Sequence, residues 1–121
     1  MLKDNLFKIQ SFEDNQGSAV FGITLNPEAD IYKAHFPGHP ITPGVCIVQI
    51  VVELLNEYLK ENHKLSLAKN IKYLQVISPV DTPNIAVELK KIVVDGDTVS
   101  VQATISNDVT LFTKMSIQCT K

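Results

Sequence analysis

One long apolar run, residues 45–59, constrains the fold of this chain more than any other feature. Its apolar side chains cover most of the circumference of a helix, so the helix predicted over 43–61 must be buried on nearly all sides. Many of its residues are β-branched and only modest helix formers, so packing against the rest of the chain must stabilise it. The polar residues recur at spacings of three and four and form one narrow stripe, which consists of Gln49, Glu53, Asn56 and Lys60.

The segments around this run alternate apolar and polar residues, as strands do. Turn residues separate them at 14–17, at Asp95-Gly96 and at Asn107-Asp108, and residues 28–34 are expected to form a brief helical turn or loop. The predicted strands are residues 6–12, 18–25, 71–78, 85–89, 99–105 and 111–119. A hairpin, one buried helix and a three- or four-strand meander predict an antiparallel sheet that curls around the helix, an α+β fold.

The composition, with 45% hydrophobic and 20% charged residues, is that of a single globular domain over residues 1–121. The net charge of −2 argues against broad binding to nucleic acid or to anionic membranes, because both select basic surfaces. The chain opens without the charged and apolar regions of a signal peptide, and residues 45–59 fall short of a membrane span. We therefore expect a cytoplasmic protein.

Neither a disulfide framework nor a metal site is expected. Cys46 and Cys119 have neither CxxC nor metal-ligand spacing, and both are expected to be buried, reduced thiols. His35 and His39 have a spacing that places two ligands on one face of a helix, but the Phe-Pro-Gly sequence between them forbids a helix. Because no third ligand accompanies them in the sequence, we expect neither histidine to bind a metal ion.

Residues 35–44, directly before the helix, contain three prolines and two glycines, which fix an irregular backbone path. The end of this loop predicts a helix N-terminus. Thr42 can cap it, Pro43 suits the first helical position, and Gly44 leaves its own N–H uncrowded. Free N–H groups at a helix start attract an anion or a developing oxyanion, so the loop predicts a binding or catalytic site.

The run HFPGHPITPGVCIV at residues 35–48 resembles the signature of the β-hydroxyacyl-[acyl-carrier-protein] dehydratases. These proteins have the hotdog fold, in which a curved antiparallel sheet wraps around one long central helix. Residues 72–81 are similar to a second segment of the family, which opens with Lys and an aromatic residue and closes on Pro-Gly-Asp. Val80 stands where the family usually has that glycine. The resemblance covers nearly the whole chain and implies a hotdog fold.

The resemblance also implies catalytic roles for named residues. The first histidine of the signature is the family's base, which gives His35 the task of removing a proton beside the thioester carbonyl, and imidazole titrates close to working pH. The family's oxyanion donors include the N–H of the glycine at the helix start, here Gly44. The family's acid, Glu or Asp, lies fourteen positions after the histidine, and that position is Gln49 in this chain.

Gln49 departs from the family pattern in a way that affects the chemistry. A neutral amide orients a hydroxyl or a water but has no proton to give, and general acid help is worth on the order of 10²–10⁴ in rate. Glu53 is the nearest candidate to supply the proton, although it lies about 6 Å further along the helix. The alternatives are that water or His35 itself shuttles the proton, or that dehydration has been lost.

Each of these assignments has a structural alternative. In the structural alternative, His35 is a loop residue whose ring forms hydrogen bonds with the backbone, and Gly44 serves only helix packing. Gln49 then continues the solvated stripe that includes Glu53. His39 is expected to be a structural turn residue under either interpretation.

The implied function is dehydration of a β-hydroxyacyl thioester of acyl carrier protein or coenzyme A, in fatty acid or related acyl-chain synthesis, without a cofactor. The acyl tail is expected in an apolar tunnel. The resemblance further implies a homodimer in which His35 of one subunit meets Gln49 of the other. A physical argument also favours association, because one short sheet cannot cover both sides of so apolar a helix.

Two other functions stay open: a non-catalytic module that binds acyl chains or carrier proteins, and a thioester hydrolase. Carrier proteins are acidic, so several lysines are candidates for a docking patch. The candidate lysines are Lys33, Lys69, Lys72, Lys90 and Lys91.

Overall fold

A computed structural model describes residues 2–34 and 38–121 of the chain. The strands of the described residues are β1 (Phe7–Asp14), β2 (Ala19–Leu25), β3 (Lys64–Tyr73), β4 (Asn84–Asp95), β5 (Thr98–Ser106) and β6 (Leu111–Thr120). The helices of the described residues are α1 (Asp30–Ala34) and α2 (Gly44–Leu59). The short helical turn predicted within residues 28–34 is therefore present as α1.

The six strands form one antiparallel sheet in the order β1-β2-β4-β5-β6-β3. The hairpin predicted at the start of the chain is β1–β2, and the predicted meander consists of β4, β5 and β6. β3 is not part of that meander. After β3 the chain passes β6 and β5 and enters β4, which lies between β2 and β5. As a result, β1 and β3 are the two edges of the sheet.

The predicted turns are confirmed at the ends of these strands. Asn15 donates its N–H to the Ser18 carbonyl over 2.8 Å, and Gly17 has the positive φ of +90° that this turn requires. The Asp95↔Thr98 pairing leaves a two-residue loop in which Gly96 has a φ of +61°. At the third turn, the Asn107 side chain accepts the N–H groups of Val109 and Thr110.

α2 supplies the centre of the hydrophobic core. Val51 and Leu55 are fully buried, as are the inward-facing residues of the strands, such as Val87 and Ile117. Side chains alternate between the two faces of a strand, so one face of the sheet packs on the helix and the other stays accessible. The α+β arrangement predicted from the sequence is confirmed. Val45 is an exception to the predicted burial of the run, since it is 77% exposed.

Both ends of α2 differ from the prediction of a helix over 43–61. Pro43 occupies the N-cap position, and no side chain caps the helix start. Thr42 does not cap because its hydroxyl bonds the Tyr32 hydroxyl over 2.8 Å and its N–H donates to the Ile77 carbonyl. The helix ends at Leu59 because Lys60 adopts the left-handed conformation, with a φ of 56°.

The strand predicted at residues 71–78 is wrong in its position. β3 runs from Lys64 to Tyr73, and nearly all of its residues are exposed. Two register shifts against β6 interrupt its alternation. An exposed, bulged edge strand has no consistently buried face, so hydrophobic periodicity does not reveal it. After Tyr73 the chain leaves the sheet, where Leu74 and Gln75 both donate to the Phe112 carbonyl.

Candidate active site

The start of α2 presents unpaired backbone donors. Cys46 and Ile47 donate their N–H groups to the Pro43 carbonyl over 3.0 and 3.1 Å. Within residues 2–34 and 38–121, no hydrogen bond engages the N–H of Gly44 or of Val45. These are the donors that a helix start leaves for an anion or an oxyanion.

Tyr73, at the end of β3, packs directly on the first residue of α2. Its hydroxyl donates to the Gly44 carbonyl over 3.1 Å, and a Cβ at position 44 would lie 2.8 Å from the tyrosine ring. A side chain at position 44 would therefore displace the tyrosine ring, so glycine suits this close approach. Partial burial raises the pKa of Tyr73 above its ordinary value, which keeps the hydroxyl protonated as a donor. No pattern in the sequence indicated the contact between Tyr73 and Gly44.

A groove of about 460 Å³ lies beside this helix start, and we call it the Gly44 groove. Its walls are mostly apolar and come from the helix start and from the chain after β3. The lining residues are Ile41, Thr42, Gly44, Ile47, Tyr73, Leu74, Gln75, Val76 and Ile77.

His35 lies outside the described residues, so its role as the base stays a prediction. The described part of the same loop resumes at Gly38, and His39 is exposed in a turn there. A neighbouring depression brings His39 and Ile41 close to Val76 and Val80. The loop that carries His35 therefore continues along one side of the Gly44 groove, since Ile41 and Val76 line both depressions.

Gln49 lies exposed on α2, more than one turn beyond Gly44. Its amide nitrogen donates to Glu53 Oε2 over 2.9 Å. Both side chains line a second groove of about 590 Å³, which we call the Gln49 groove and which extends to the end of the helix and the start of β3. Most of the residues that line it are polar or charged in type, and they are Gln49, Val52, Glu53, Asn56, Glu57, Lys60, Glu61, Asn62, His63, Lys64 and Leu65.

Glu53 is buried, with only 7% of its surface exposed, so the predicted solvated stripe is wrong at this position. The N–H of Leu2 donates to both carboxylate oxygens over 3.0 and 2.9 Å, and the N–H of Lys3 donates to Oε1 over 2.9 Å. Together with Gln49, these donors satisfy a buried carboxylate. Backbone donors carry no residue-type signature, so nothing in the sequence pointed to this contact.

Gly44 and Gln49 do not line the same groove of a single chain. Gly44 belongs to the groove at the helix start, and Gln49 belongs to the groove that extends toward the end of the helix. The two predicted catalytic positions are therefore both accessible, but one chain does not bring them into one cavity.

The five candidate docking lysines do not all share one strand. Lys72 on β3 lies directly opposite Lys114 on β6, a residue that sequence reasoning missed. Lys90 and Lys91 lie on β4, which β5 and β6 separate from β3. Two like charges at paired positions repel each other, so an anionic partner would be favoured at Lys72 and Lys114.

Both cysteines are free and buried, as predicted, and burial raises the pKa of the Cys119 thiol to about 11. Within the described ranges, no three His, Cys, Asp or Glu side chains come together in a way that could hold a metal ion. A helix long and apolar enough to cross a membrane is likewise missing from the part of the chain that the structure describes.

An antiparallel sheet around one buried helix, with free donors at the start of that helix, defines a hotdog-fold protein. Two solved structures confirm this fold. The dehydratase heterocomplex ApeI:P from Xenorhabdus doucetiae aligns over 94% of this chain and 97% of that chain, with a TM-score of 0.70 and 17% identity. A mutant thioesterase from Pseudomonas aeruginosa aligns over 90% and 78%, with a TM-score of 0.61 and 13% identity.

The family follows from the sequence match. Residues 10–113 match the family model described as ApeI-like, ApeI dehydratase, so the chain belongs to this family. It is also 29% identical over 77 residues to the 3-hydroxyacyl-[acyl-carrier-protein] dehydratase FabZ of Clostridium acetobutylicum. That match covers 58% of this chain and 53% of FabZ, so the chain spans about half the length of this curated relative.

Proposed function

We propose that the protein dehydrates β-hydroxyacyl thioesters to the trans-2-enoyl thioesters. The observation that supports this proposal best is the N–H of Gly44 at the start of a buried helix, which has no partner among the described residues, in a chain that belongs to a dehydratase family. A donor at this point is suited to the negative charge that develops on the thioester oxygen when the neighbouring carbon loses a proton.

In the proposed reaction, His35 takes a proton from the carbon next to the thioester carbonyl. The electrons of that C–H bond pass into the carbonyl system, where Gly44 N–H stabilises the enolate oxygen. The C–O bond at the β-carbon then breaks, the C=C bond forms, and the hydroxyl leaves as water once it receives a proton. No oxidant, reductant or cofactor is needed for this balance.

Gln49 has the task of orienting the leaving hydroxyl. Its side chain offers a carbonyl oxygen as acceptor and an N–H as donor, which match the donor and acceptor of a hydroxyl group. Because Gln49 has no proton to release, we propose that His35 returns the proton it took from the carbon to the departing hydroxyl. This single-base route is expected to be slower than one with a separate general acid.

The substrate would be an acyl thioester of acyl carrier protein or of coenzyme A. The mostly apolar Gly44 groove is suited to the part of the substrate near the thioester. The pair Lys72 and Lys114 offers a positive surface to an acidic carrier protein or to the phosphates of coenzyme A. The name of the FabZ relative specifies a 3-hydroxyacyl-[acyl-carrier-protein] substrate, which is consistent with this class of substrate.

We further propose that two copies of the chain assemble. The edge strand β3 is exposed along its length and includes Leu65 and Leu67, which are 44% and 49% exposed. An open apolar edge is suited to pairing with a second strand. A second copy would also account for the separate grooves, because the Gly44 groove of one subunit could then meet Gln49 of the other.

The assembly is tested by sedimentation velocity on the natural protein beside Leu67→Lys. We expect a dimer for the natural protein and a shift to monomer for Leu67→Lys, since a charge on the edge opposes strand pairing. Val109→Lys is the matched control, because Val109 is 88% exposed in the turn before β6 and should not affect assembly. A natural protein that sediments as a monomer would contradict the proposal.

The activity is tested by incubating the protein with β-hydroxyacyl and enoyl thioesters of several chain lengths. Interconversion, followed by the absorbance of the enoyl thioester, is the expected result. Release of free thiol without enoyl formation would instead identify a thioesterase, a function that the structural similarity to a thioesterase keeps open. Tight binding of acyl thioesters without turnover would identify a binding module, as the loss of the family acid at Gln49 would allow.

A further inference from the structure

The buried carboxylate of Glu53 is committed to three donor groups. Oε1 accepts from the N–H groups of Leu2 and Lys3, and Oε2 accepts from the N–H of Leu2 and from the amide nitrogen of Gln49. Both oxygens of this carboxylate therefore already accept hydrogen bonds, which leaves neither of them free to contact a substrate hydroxyl. Glu53 is therefore poorly suited to give a proton to the leaving hydroxyl.

These contacts decide which way the Gln49 amide faces. The atom of Gln49 that faces Glu53 is the nitrogen, which donates to Oε2 over 2.9 Å. The carbonyl oxygen and the second N–H of Gln49 then face away from Glu53. Among the residues that the structure describes, no hydrogen bond engages this carbonyl oxygen. The amide is thus held at one end and left free at the other.

We infer that Glu53 is a positioning residue, which acts through Gln49 on the substrate. It fixes the Gln49 amide so that its oxygen accepts from the β-hydroxyl and its second N–H donates to it. This inference deepens the proposed function and rests on it, since it assigns the missing role at the position of the family acid. In place of a proton donor, the chain has a pair that holds the hydroxyl in one orientation.

The N-terminal turn is part of the same arrangement. Asn5 and Leu6 donate to the Leu2 carbonyl over 3.1 and 2.7 Å, which fixes the turn that points the N–H groups of Leu2 and Lys3 at Glu53. Lys3 also forms an ion pair with Glu57 over 3.2 Å. Residues 2–6 therefore stabilise the charge on Glu53 while the helix sets the distance from Glu53 to Gln49.

The test compares the natural protein with Glu53→Gln in two measurements. The first is the pair of side-chain amide signals of Gln49 in a ¹⁵N–¹H spectrum, assigned by their disappearance in Gln49→Ala. We expect these signals to report an ordered side chain in the natural protein and to shift and gain mobility in Glu53→Gln. The second is turnover, where we expect kcat to fall roughly ten- to hundredfold with KM little changed, as for a misplaced catalytic group.

The matched control is Glu13→Gln, which removes an exposed carboxylate on β1 that lines neither the Gly44 groove nor the Gln49 groove. It should leave the Gln49 signals and kcat unchanged. If Glu53→Gln does not fold, the natural protein still decides the question, because Gln49 should be far less mobile than the exposed side chain of Gln10. Equal mobility of the two side chains would overturn the inference.

The outcomes also separate this inference from the proposed function. Unchanged Gln49 signals and unchanged kcat in Glu53→Gln, in a protein that dehydrates its substrate, would overturn the positioning role alone. A natural protein that turns over no β-hydroxyacyl thioester, yet has an ordered Gln49 whose signals depend on Glu53, would overturn the proposed function and leave the contact established.

Discussion

Gln49→Glu should raise the rate of dehydration about 10²–10⁴-fold, because it would place a general acid at the helix position where the resemblance to the dehydratases predicts one. The new carboxyl group would take the place of an amide whose nitrogen lies 2.9 Å from Glu53 Oε2. Two carboxyl groups at this distance cannot both ionise easily, so they hold one proton between them. The proposed donor Gly44 and the proposed base His35 would not be changed by this substitution.

The new carboxyl group and Glu53 would differ in their hydrogen-bond donors. Glu53 keeps the N–H groups of Leu2 and Lys3, which stabilise its negative charge. The new group has no such donors, and it faces the groove in which the substrate would lie. The new group would therefore be the one placed to give a proton to the leaving hydroxyl.

The measurement is the rate of enoyl formation for the natural protein, Gln49→Glu and Gln49→Ala under the same conditions. Gln49→Ala controls for the loss of the amide and should be slower than the natural protein. A Gln49→Glu protein that is folded but no faster than the natural one would contradict a catalytic role for this helix position.

His35→Ala should reduce turnover by about 10²–10⁴-fold, the typical contribution of a positioned general acid–base group. In the proposed single-base route, His35 both takes the proton from the carbon and returns it to the hydroxyl, so its loss removes both steps. Alanine has no group that can accept a proton, and the pronounced effect should persist at every pH. The measurement is again the interconversion of β-hydroxyacyl and enoyl thioesters.

His39→Ala is the control for this prediction, because His39 lies four residues further along the same loop and is exposed there. We expect its turnover to remain close to that of the natural protein. Equal losses in both variants would indicate that the loop needs its histidines for its conformation. Full turnover in His35→Ala would exclude His35 as the base and with it the proposed mechanism.

The sequence predicted the local features of the fold, because each of them has a local physical cause. The helix follows from an apolar run of 15 residues, 45–59, and the turns follow from residues such as Gly17 and Gly96 that tolerate positive φ. The strands that bury one face, such as β5, alternate regularly and were predicted as well. β3 was misplaced because an exposed edge with two register shifts has no such alternation.

The helix start shows the same division at the level of single residues. The loop sequence indicated a helix that begins near Gly44 with free donors, and the structure has it there. The sequence also offered Thr42 as a cap, but its hydroxyl pairs with Tyr32, which only the packing of α1 against the loop decides. The approach of Tyr73 to Gly44 joins residues 29 positions apart, and no local pattern encodes it.

Gln49 and Glu53 show most clearly what the sequence determines by itself and what the tertiary structure decides. The sequence by itself places Gln49 and Glu53 four residues apart on one helix, and this spacing suffices to bring their side chains together. Only the tertiary structure brings the N–H groups of Leu2 and Lys3 to Glu53, across some 50 positions of the chain. Every residue but proline carries the same backbone donor, so its partner is decided by where the folded chain passes and not by the residue type.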